Sequence, residues 1–247
     1  MGQVVKTALV AFAKNPISEK YKTRLLDDIQ SSKRVEKTYE LLLKITNQAL
    51  AEFQVEKPSA QSFWAMNSNI QNLPNYFSPS IQLTSQGLGS LGERLHTVYQ
   101  QLIKSNDQVI VVGSDLPFLS SELLSVTLEK LIDHDIVVGP SDDGGFYLFA
   151  SSLDFQKNFW TSVEYSKNTT LEQLVGSLKD VQIATLPQLT DIDNLQSFIK
   201  AVELLKASTR LSKFQKELVN FFNSEINPVS ESFLPNQEDS FYQHKIV

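Results

Sequence analysis

The sequence predicts an α/β domain built on a mostly parallel β-sheet, and three observations support this class. Short apolar segments alternate along the chain with segments of helical periodicity. The apolar segments are continuous, which is typical of strands that are covered on both faces. The length of 247 residues, the 41% apolar content and the net charge of −6 suit one large globular domain.

The positions of these segments give the individual strands and helices. Strong apolar runs predict buried parallel strands at 8–13, 109–113, 136–139 and 146–150. Weaker runs predict further strands at 62–66, 81–83 and 181–186. Apolar residues at helical spacing predict helices at 21–29, 35–53, 91–103, 121–132, 169–178 and 194–205.

Two stretches fall outside this alternation. Residues 58–86 are rich in Asn, Ser and Pro, which predicts an irregular loop over the strand tips, interrupted by short strands. After residue 205 the chain continues as a polar amphipathic segment, 211–222, and then as a tail without periodicity. We therefore predict a main domain over 1–206 and, over 207–247, an appended helical segment with an irregular tail.

Composition excludes several classes of protein. The absence of cysteine excludes disulfide scaffolds and thiolate zinc sites, and three histidines are too few for a histidine-rich metal cage. The excess of acidic residues argues against a general nucleic-acid or membrane-surface binder. Because no stretch reaches the roughly 18 apolar residues of a membrane span, and the first apolar run resembles a strand more than a signal, we expect a cytoplasmic protein.

Asp115 is the first candidate site residue. It directly follows the predicted strand 109–113, and α/β sheets bind ligands beyond the carboxyl ends of their strands. A lone Asp at a strand end is also a common turn former or helix cap, and this alternative stays open. Because Ser120 and Ser121 are available to cap the next helix, the sequence equally predicts a carboxylate ligand for Mg²⁺ or Mn²⁺.

The second candidate is the acidic turn between the strands 136–139 and 146–150. It contains Asp142 and Asp143, followed by Gly144 and Gly145. A hairpin with an Asp-Gly turn would explain the composition. However, such a turn needs one carboxylate, and the second one with two glycines indicates a site that orients a polar substrate or its cation.

Asp191 and Asp193 form the third candidate. They precede a predicted helix, so Asp193 could be its N-cap. In an extended segment both side chains project from one face, which would let them complete a metal site with Asp115.

Basic residues after the first strand form the fourth candidate. Lys14, Lys20, Lys22 and Arg24 surround a predicted turn and helix start in an otherwise acidic protein. They would form either a phosphate-binding site or a solvated helix face. The sequence there matches neither the P-loop nor the dinucleotide-binding pattern. A glycine-rich loop, QGLGSLGER, carries Arg94 and could form either a second anion site or a plain turn.

In this order the segments resemble a family of bacterial glycosyltransferase-like proteins, the DUF2064 or selenodomain-associated transferase 1 type. This family is related to the molybdenum-cofactor and phospholactate nucleotidylyltransferases. The resemblance extends over about residues 8–205 and implies the nucleotide-diphospho-sugar transferase (GT-A) fold, a three-layer α/β sandwich. The matching segments are AKNP with KTRL, QGLGSLGER, GSDLP, GPSDDGGFYL, YSKNTTLEQL and LPQLTDID.

The resemblance also implies roles for the matching residues. Asp115 corresponds to the metal-binding aspartate, and Asp191 and Asp193 to a late acidic motif that helps to hold the metal. Asp143 corresponds to a residue that orients or deprotonates the acceptor. The residues that match the phosphate-binding segment are Lys14, Lys22 and Arg24. The residues that match the substrate-facing segments are Gly144, Gly145 and Ser166.

The chain departs from the family pattern at three places. Residues 17–20 replace the usual glycine-containing turn, Ser90 stands where an aspartate is usual, and Tyr165 replaces a tryptophan.

From these residues we predict a transferase that depends on Mg²⁺ or Mn²⁺ and acts on a nucleotide sugar, with an unknown small-molecule acceptor. Two alternatives stay open. One is nucleotidyl transfer from an NTP to a small phosphorylated acceptor, and the other is a non-catalytic protein that binds a nucleotide or a partner.

Overall fold

A single seven-stranded sheet forms the centre of the molecule, in the order β3-β2-β1-β4-β6-β5-β7. The computed structural model describes residues 4–67 and 73–228. The strands are β1 (Thr7–Phe12), β2 (Ala60–Met66), β3 (Gln82–Ser85), β4 (Gln108–Gly113), β5 (Ile136–Pro140), β6 (Phe146–Ser151) and β7 (Ile183–Thr185). The helices are α1 (Thr23–Ile29), α2 (Ser32–Glu56), α3 (Leu91–Ile103), α4 (Ser121–Lys130), α5 (Lys157–Thr161), α6 (Thr170–Gly176), α7 (Leu195–Ala207) and α8 (Lys213–Phe221), and a π-helical turn (Phe222–Ile226) follows.

The sheet is mixed, and one predicted strand direction is wrong. β1 lies between β2 and β4 and is parallel to both. β5 and β7 are parallel to each other. β6, which was predicted as a parallel strand, instead runs antiparallel to both β4 and β5. The reason is the short link between β5 and β6, because a parallel crossover needs a dozen or more residues.

Two layers of helices cover the two faces of the sheet. Because successive side chains of a strand point to opposite faces, Leu9 and Ala11 pack on one side and Ala8 and Val10 on the other. The long helix α2 covers the first face, and α3 covers the second. A third apolar cluster joins α1 and α2 to α7 and α8. The segment after residue 206 therefore contributes to the packed core up to Ile226.

Most predicted elements are present, with small shifts at their ends. The helix predicted at 91–103 coincides with α3, whose Ser90 and Glu93 form a reciprocal capping box. Ser120 caps α4, as the sequence suggested. Two elements were not predicted, namely the five-residue helix α5 and the π-helical turn. Both are too short to show a helical period.

Residues 58–86 contain β2 and β3 joined by turns at 75–77 and 79–80, and residues 68–72 lie outside the described part of the chain. The part of the predicted tail from 229 to 247 also lies outside it. Among the described residues, none of the helices has the length and apolar character that crossing a bilayer requires.

Candidate functional site

A cavity of about 730 Å³ opens where β1 and β4 end. Its position agrees with the rule that α/β sheets bind ligands beyond the carboxyl ends of their strands. Nine of the predicted site residues line it: Lys14, Lys22, Arg24, Arg94, Asp115, Asp143, Ser166, Asp191 and Asp193. Gly145 lines a smaller recess that adjoins this cavity. Gly144 lies in the turn beside them and lines neither space.

Lys22 is a buried cation that contacts one acidic side chain and one backbone carbonyl of the site. It precedes α1 in a left-handed conformation with φ of 49°, which is uncommon outside glycine. Its Nζ atom lies 2.8 Å from Oδ2 of Asp115, and its side chain is 2% exposed. The same ammonium donates a hydrogen bond to the carbonyl oxygen of Ile192. Lys22 therefore joins the end of β4 to the acidic segment 191–193.

Arg24 and Asp193 form a second ion pair at the rim of the cavity. The Nη1 atom of Arg24 lies 2.6 Å from Oδ2 of Asp193, and both side chains are exposed. Asp193 is not the N-cap of α7, since Asn194 accepts the capping hydrogen bond from Ser197. The carboxylate of Asp193 is thus directed to a cation instead of to a helix end.

The segment 189–193 is held against the strand ends by backbone hydrogen bonds. The Ile192 N–H donates to the Asp115 carbonyl oxygen at 3.0 Å, and Leu189 forms a parallel bridge with Ser141. Burial raises the pKa of Asp191 to about 6. The negative charges of Asp143 and Asp115 act in the same direction, and Lys22 partly opposes them. Asp115, Asp143 and Asp191 therefore form a region of excess negative charge.

A divalent metal at this site would need oxygen ligands that converge. Among the described residues, no three acidic or histidine side chains converge as a metal cluster. The predicted set of Asp115, Asp191 and Asp193 is therefore not assembled, because Arg24 holds Asp193. Mg²⁺ is usually bound by one or two carboxylates together with substrate phosphates. Asp115 and Asp191 suit a site of this kind with two carboxylates, since a cation would relieve their mutual repulsion.

The acidic turn 141–145 is the hairpin between β5 and β6, and its two carboxylates have different partners. Asp142 contacts Nζ of Lys200 at 2.6 Å and accepts a hydrogen bond from Thr190. Burial alone would raise the pKa of Asp142, but these hydrogen bonds outweigh it and hold the pKa below its ordinary value. Asp142 thereby anchors the hairpin to α7.

Asp143 is the carboxylate of the pair that faces the cavity. Its Oδ1 atom accepts hydrogen bonds from Oγ of Ser141 at 2.6 Å and from the N–H of Gly145 at 2.9 Å. No residue in the described part of the chain bonds its Oδ2 atom. Gly144 has a φ of 84°, and a β-carbon there would collide with the backbone of Asn168. The turn therefore presents a carboxylate with one oxygen available for substrate.

Two cations of the cavity are available for an anionic ligand. Lys14 and Arg94 form no ion pair with any residue that the structure describes. Arg94 uses Nε to donate to the carbonyl oxygen of Gly89, which orients its guanidinium. Gly89 itself has a φ of 103°, so the loop before α3 depends on its glycine.

The cavity residues that the sequence analysis missed include Tyr21, Tyr39 and Gln86. Tyr21 and Tyr39 stack with ring centroids 4.3 Å apart, and the hydroxyl of Tyr39 bonds both backbone groups of Lys14. The amide nitrogen of the buried Gln86 donates to the carbonyl oxygens of Ala13 and Ala65. Only the position of Tyr21, beside the basic run, could have indicated one of them.

Ser166 lines both the cavity and the adjoining recess, and Tyr165 lines the recess. Ser166 has a φ of 60°, a strained conformation that is frequent at functional sites. The hydroxyl of Tyr165 donates to the carbonyl oxygen of Trp160 at 2.8 Å, so its ring is held in place beside Gly92. Tyr165 thus supplies an aromatic surface where the family pattern has tryptophan.

Comparison with known proteins confirms the resemblance. Residues 50–167 match the family described as "Uncharacterized protein conserved in bacteria (DUF2064)". No curated protein matches the sequence.

Solved structures show the same fold. A candidate nucleotide-diphospho-sugar transferase from Desulfovibrio desulfuricans G20 has a TM-score of 0.75 and 22% identity, over 92% of this chain and 97% of its own. The 4-diphosphocytidyl-2C-methyl-D-erythritol synthase of Anaerococcus prevotii DSM 20548 has a TM-score of 0.56 and 11% identity, over 82% and 96%. Rv0371c from Mycobacterium tuberculosis H37Rv has a TM-score of 0.50 and 12% identity, over 82% and 100%. The predicted α/β class with a mostly parallel mixed sheet is confirmed.

Proposed function

We propose that the protein is a glycosyltransferase that moves a sugar from a nucleoside diphosphate to a hydroxyl group of a small acceptor. The observation that carries this proposal is that available cations and a group of carboxylates line the same cavity. The fold shared with a candidate nucleotide-diphospho-sugar transferase supports the transferase class.

The cations suit a diphosphate. Lys14 and Arg94 are available, and Arg24 lies at the rim, where it can exchange its contact with Asp193 for a phosphate. Charge-assisted hydrogen bonds of this kind contribute about 1.5–3 kcal/mol each. Tyr21, which stacks on the buried Tyr39, adds an aromatic surface for the nucleoside.

The carboxylates suit the metal and the acceptor. Asp115 and Asp191 would hold Mg²⁺ or Mn²⁺, whose chemistry when bound is to neutralise charge on the departing diphosphate. Asp143 would accept the proton of the acceptor hydroxyl on its available Oδ2 atom. The hydroxyl oxygen forms a bond to the anomeric carbon of the sugar. The bond from that carbon to the diphosphate breaks, and its electron pair leaves with the diphosphate oxygen.

Product analysis tests this proposal. The protein and an Asp115→Asn control would be incubated with Mn²⁺ and a panel of nucleotide sugars and, separately, with NTPs. Sugar transfer, or slow hydrolysis in its place, releases a nucleoside diphosphate, so we expect this product from nucleotide sugars and its loss in the Asn variant. Pyrophosphate released only from NTPs would instead support nucleotidyl transfer. No turnover and no binding would support a non-catalytic protein.

Calorimetry tests the binding roles separately from turnover. We expect nucleoside diphosphates to bind more tightly with Mn²⁺ than with EDTA, and Lys14→Ala or Arg94→Ala to weaken binding by about tenfold each. Equal affinity with Mn²⁺ and EDTA would contradict the metal role.

A further inference from the structure

A recess of about 200 Å³ adjoins the main cavity beside Asp143. It lies between α3, the end of β4, the start of β6 and Tyr165. The two spaces share Phe12, Leu91, Asp143, Ser166 and Asp191, so the recess opens into the cavity at the place where the proposed reaction occurs.

Three of the hydroxyl groups around the recess are turned away from it. Tyr165 donates to the Trp160 carbonyl oxygen at 2.8 Å, and Tyr147 donates to that of Pro187 at 2.9 Å. Thr170 Oγ1 lies 2.8 Å from the carbonyl oxygens of both Glu164 and Lys167.

Of the other two hydroxyls, that of Ser141 donates to Asp143 at 2.6 Å, and that of Ser166 lies where the recess meets the main cavity. The interior therefore presents ring, methyl and methylene groups to a ligand, from Leu95, Val111, Phe146 and the two tyrosines.

The charges around the recess are all negative. Asp143 and Asp191 stand at its mouth, and no lysine, arginine or histidine is among the described residues that line it. Lys14, Arg24 and Arg94 line the main cavity alone. A phosphate or carboxylate is therefore attracted to the main cavity and repelled from the recess. A sugar ring inside the recess would leave the hydroxyls that face the apolar wall unpaired, at a cost of about 1–3 kcal/mol for each buried group.

We propose that this recess is the acceptor subsite and that it binds an uncharged molecule with an apolar, ring-sized body and a hydroxyl directed at Asp143. This inference rests on the proposed glycosyl transfer. The volume suits the body of such a ligand, because an apolar cavity of about 150 Å³ holds benzene. The recess disfavours the phosphorylated acceptor of a nucleotidyltransferase.

Gly113 provides a selective way to close the recess. It lies at the end of β4, two residues after Val111, so both face the same side of the sheet. A β-carbon at Gly113 would meet no atom within 4 Å, which shows that a side chain there would enter open space. Gly176, at the end of α6, is an equally open but exposed position outside the site, and it provides a matched control.

The test compares Gly113→Leu with Gly176→Leu. Binding of benzyl alcohol, and of phenyl phosphate as its charged counterpart, would be measured by ligand-observed NMR in the presence of Mn²⁺ and UDP, CDP or GDP. We expect benzyl alcohol to bind the parent protein and Gly176→Leu, and its affinity to fall at least tenfold in Gly113→Leu. We expect nucleotide binding to be retained in both variants, which also shows that they fold.

Three outcomes would overturn the inference: no binding of benzyl alcohol, binding that Gly113→Leu leaves unchanged, or phenyl phosphate that competes with benzyl alcohol at equal or higher affinity. The outcome for the proposed function is separate. If nucleoside diphosphates bind and nucleotide sugars are turned over but benzyl alcohol does not bind, the acceptor class is wrong and the transferase proposal stands. If nucleoside diphosphates do not bind at all, the transferase proposal itself is wrong.

Discussion

The carboxylate of Asp191 opposes folding at neutral pH. Its pKa in the folded protein is raised to about 6 by burial and by the charges of Asp143 and Asp115. A group with a raised folded-state pKa contributes stability below its unfolded value, near 4, and that contribution is lost as the pH rises through about 6.

Replacing Asp191 should therefore stabilise the metal-free protein. We expect Asp191→Asn to raise the free energy of unfolding by about 1–2 kcal/mol at pH 8, after allowance for solvent screening, and by much less at pH 4. Urea unfolding in EDTA at both pH values measures this difference. If Asp191→Asn were no more stable than the parent protein at pH 8, the surroundings of Asp191 would stabilise its ionised carboxylate fully. We also expect this variant to lose metal-dependent nucleotide binding. The carboxylate that would hold the metal is the same group that lowers the stability of the metal-free protein.

Lys22 and Arg24 are close in sequence, but their ion pairs differ in burial. Lys22→Met would leave the Ile192 carbonyl without its buried donor and Asp115 without its cation, so we expect a loss of about 1–3 kcal/mol. Arg24→Met removes an exposed pair and should cost less than about 1 kcal/mol. Parallel denaturant titrations compare the two variants, and equal losses would contradict the structural role of Lys22.

Residue types and positions predicted which side chains meet at the site, but they did not predict their pairing. Asp115 and Asp191 could be identified because each follows or precedes an apolar segment. The contact between Lys22 and Ile192 depends on how distant parts of the chain dock, and no local pattern records it. Gln86 was missed for a related reason, since it follows the weakly predicted strand β3 and its role depends on two distant carbonyl groups.

At the scale of elements, the hairpin β5–β6 determines where Asp143 stands. Gly144 has the positive φ that the turn requires, and its carbonyl oxygen accepts a hydrogen bond from the N–H of Leu171 at 3.0 Å. We expect Gly144→Ala to cost at least about 1 kcal/mol from backbone strain alone, because the backbone of Asn168 must also move. Turnover of nucleotide sugars should fall further than stability suggests, since Asp143 moves with the turn.

Gly176→Ala is the control for this prediction. Gly176 has no positive φ and an added methyl group meets no atom within 4 Å, so we expect a change in stability below about 1 kcal/mol and unchanged turnover. Thermal unfolding and steady-state rates would be measured for both variants. A Gly144→Ala protein with normal stability and turnover would show that the turn tolerates rearrangement.

The same hairpin shows the limit of prediction at this scale. Continuous apolarity in β6 reflects burial on both faces, and it carries no information about strand direction. The five-residue connection 141–145 did carry that information, and the hairpin alternative considered for this turn was the correct one for the backbone.

At the scale of the whole molecule, the packing of the segment after residue 206 determines whether this segment unfolds together with the main domain. Phe222 is 4% exposed, and its ring lies 4.9 Å from that of Phe198 in α7. We expect Phe222→Ala to destabilise the protein by about 3–5 kcal/mol in one cooperative transition. Phe214→Ala, on the half-buried side of α8, should cost clearly less. An unchanged main transition in Phe222→Ala would show that the segment folds as an independent appendage.

The strand order has a consequence for the nascent chain on the ribosome. β1 is made first but becomes an inner strand, and it gains its second neighbour only when β4 has been synthesised. Lys22 can be buried with both of its partners only later, after Ile192 has been synthesised. Since domains generally fold as units during synthesis, a translating chain can hold most of its sheet while the ligand cavity still lacks one wall. A ligand present during translation would therefore find the complete cavity only after Asp193 has been synthesised.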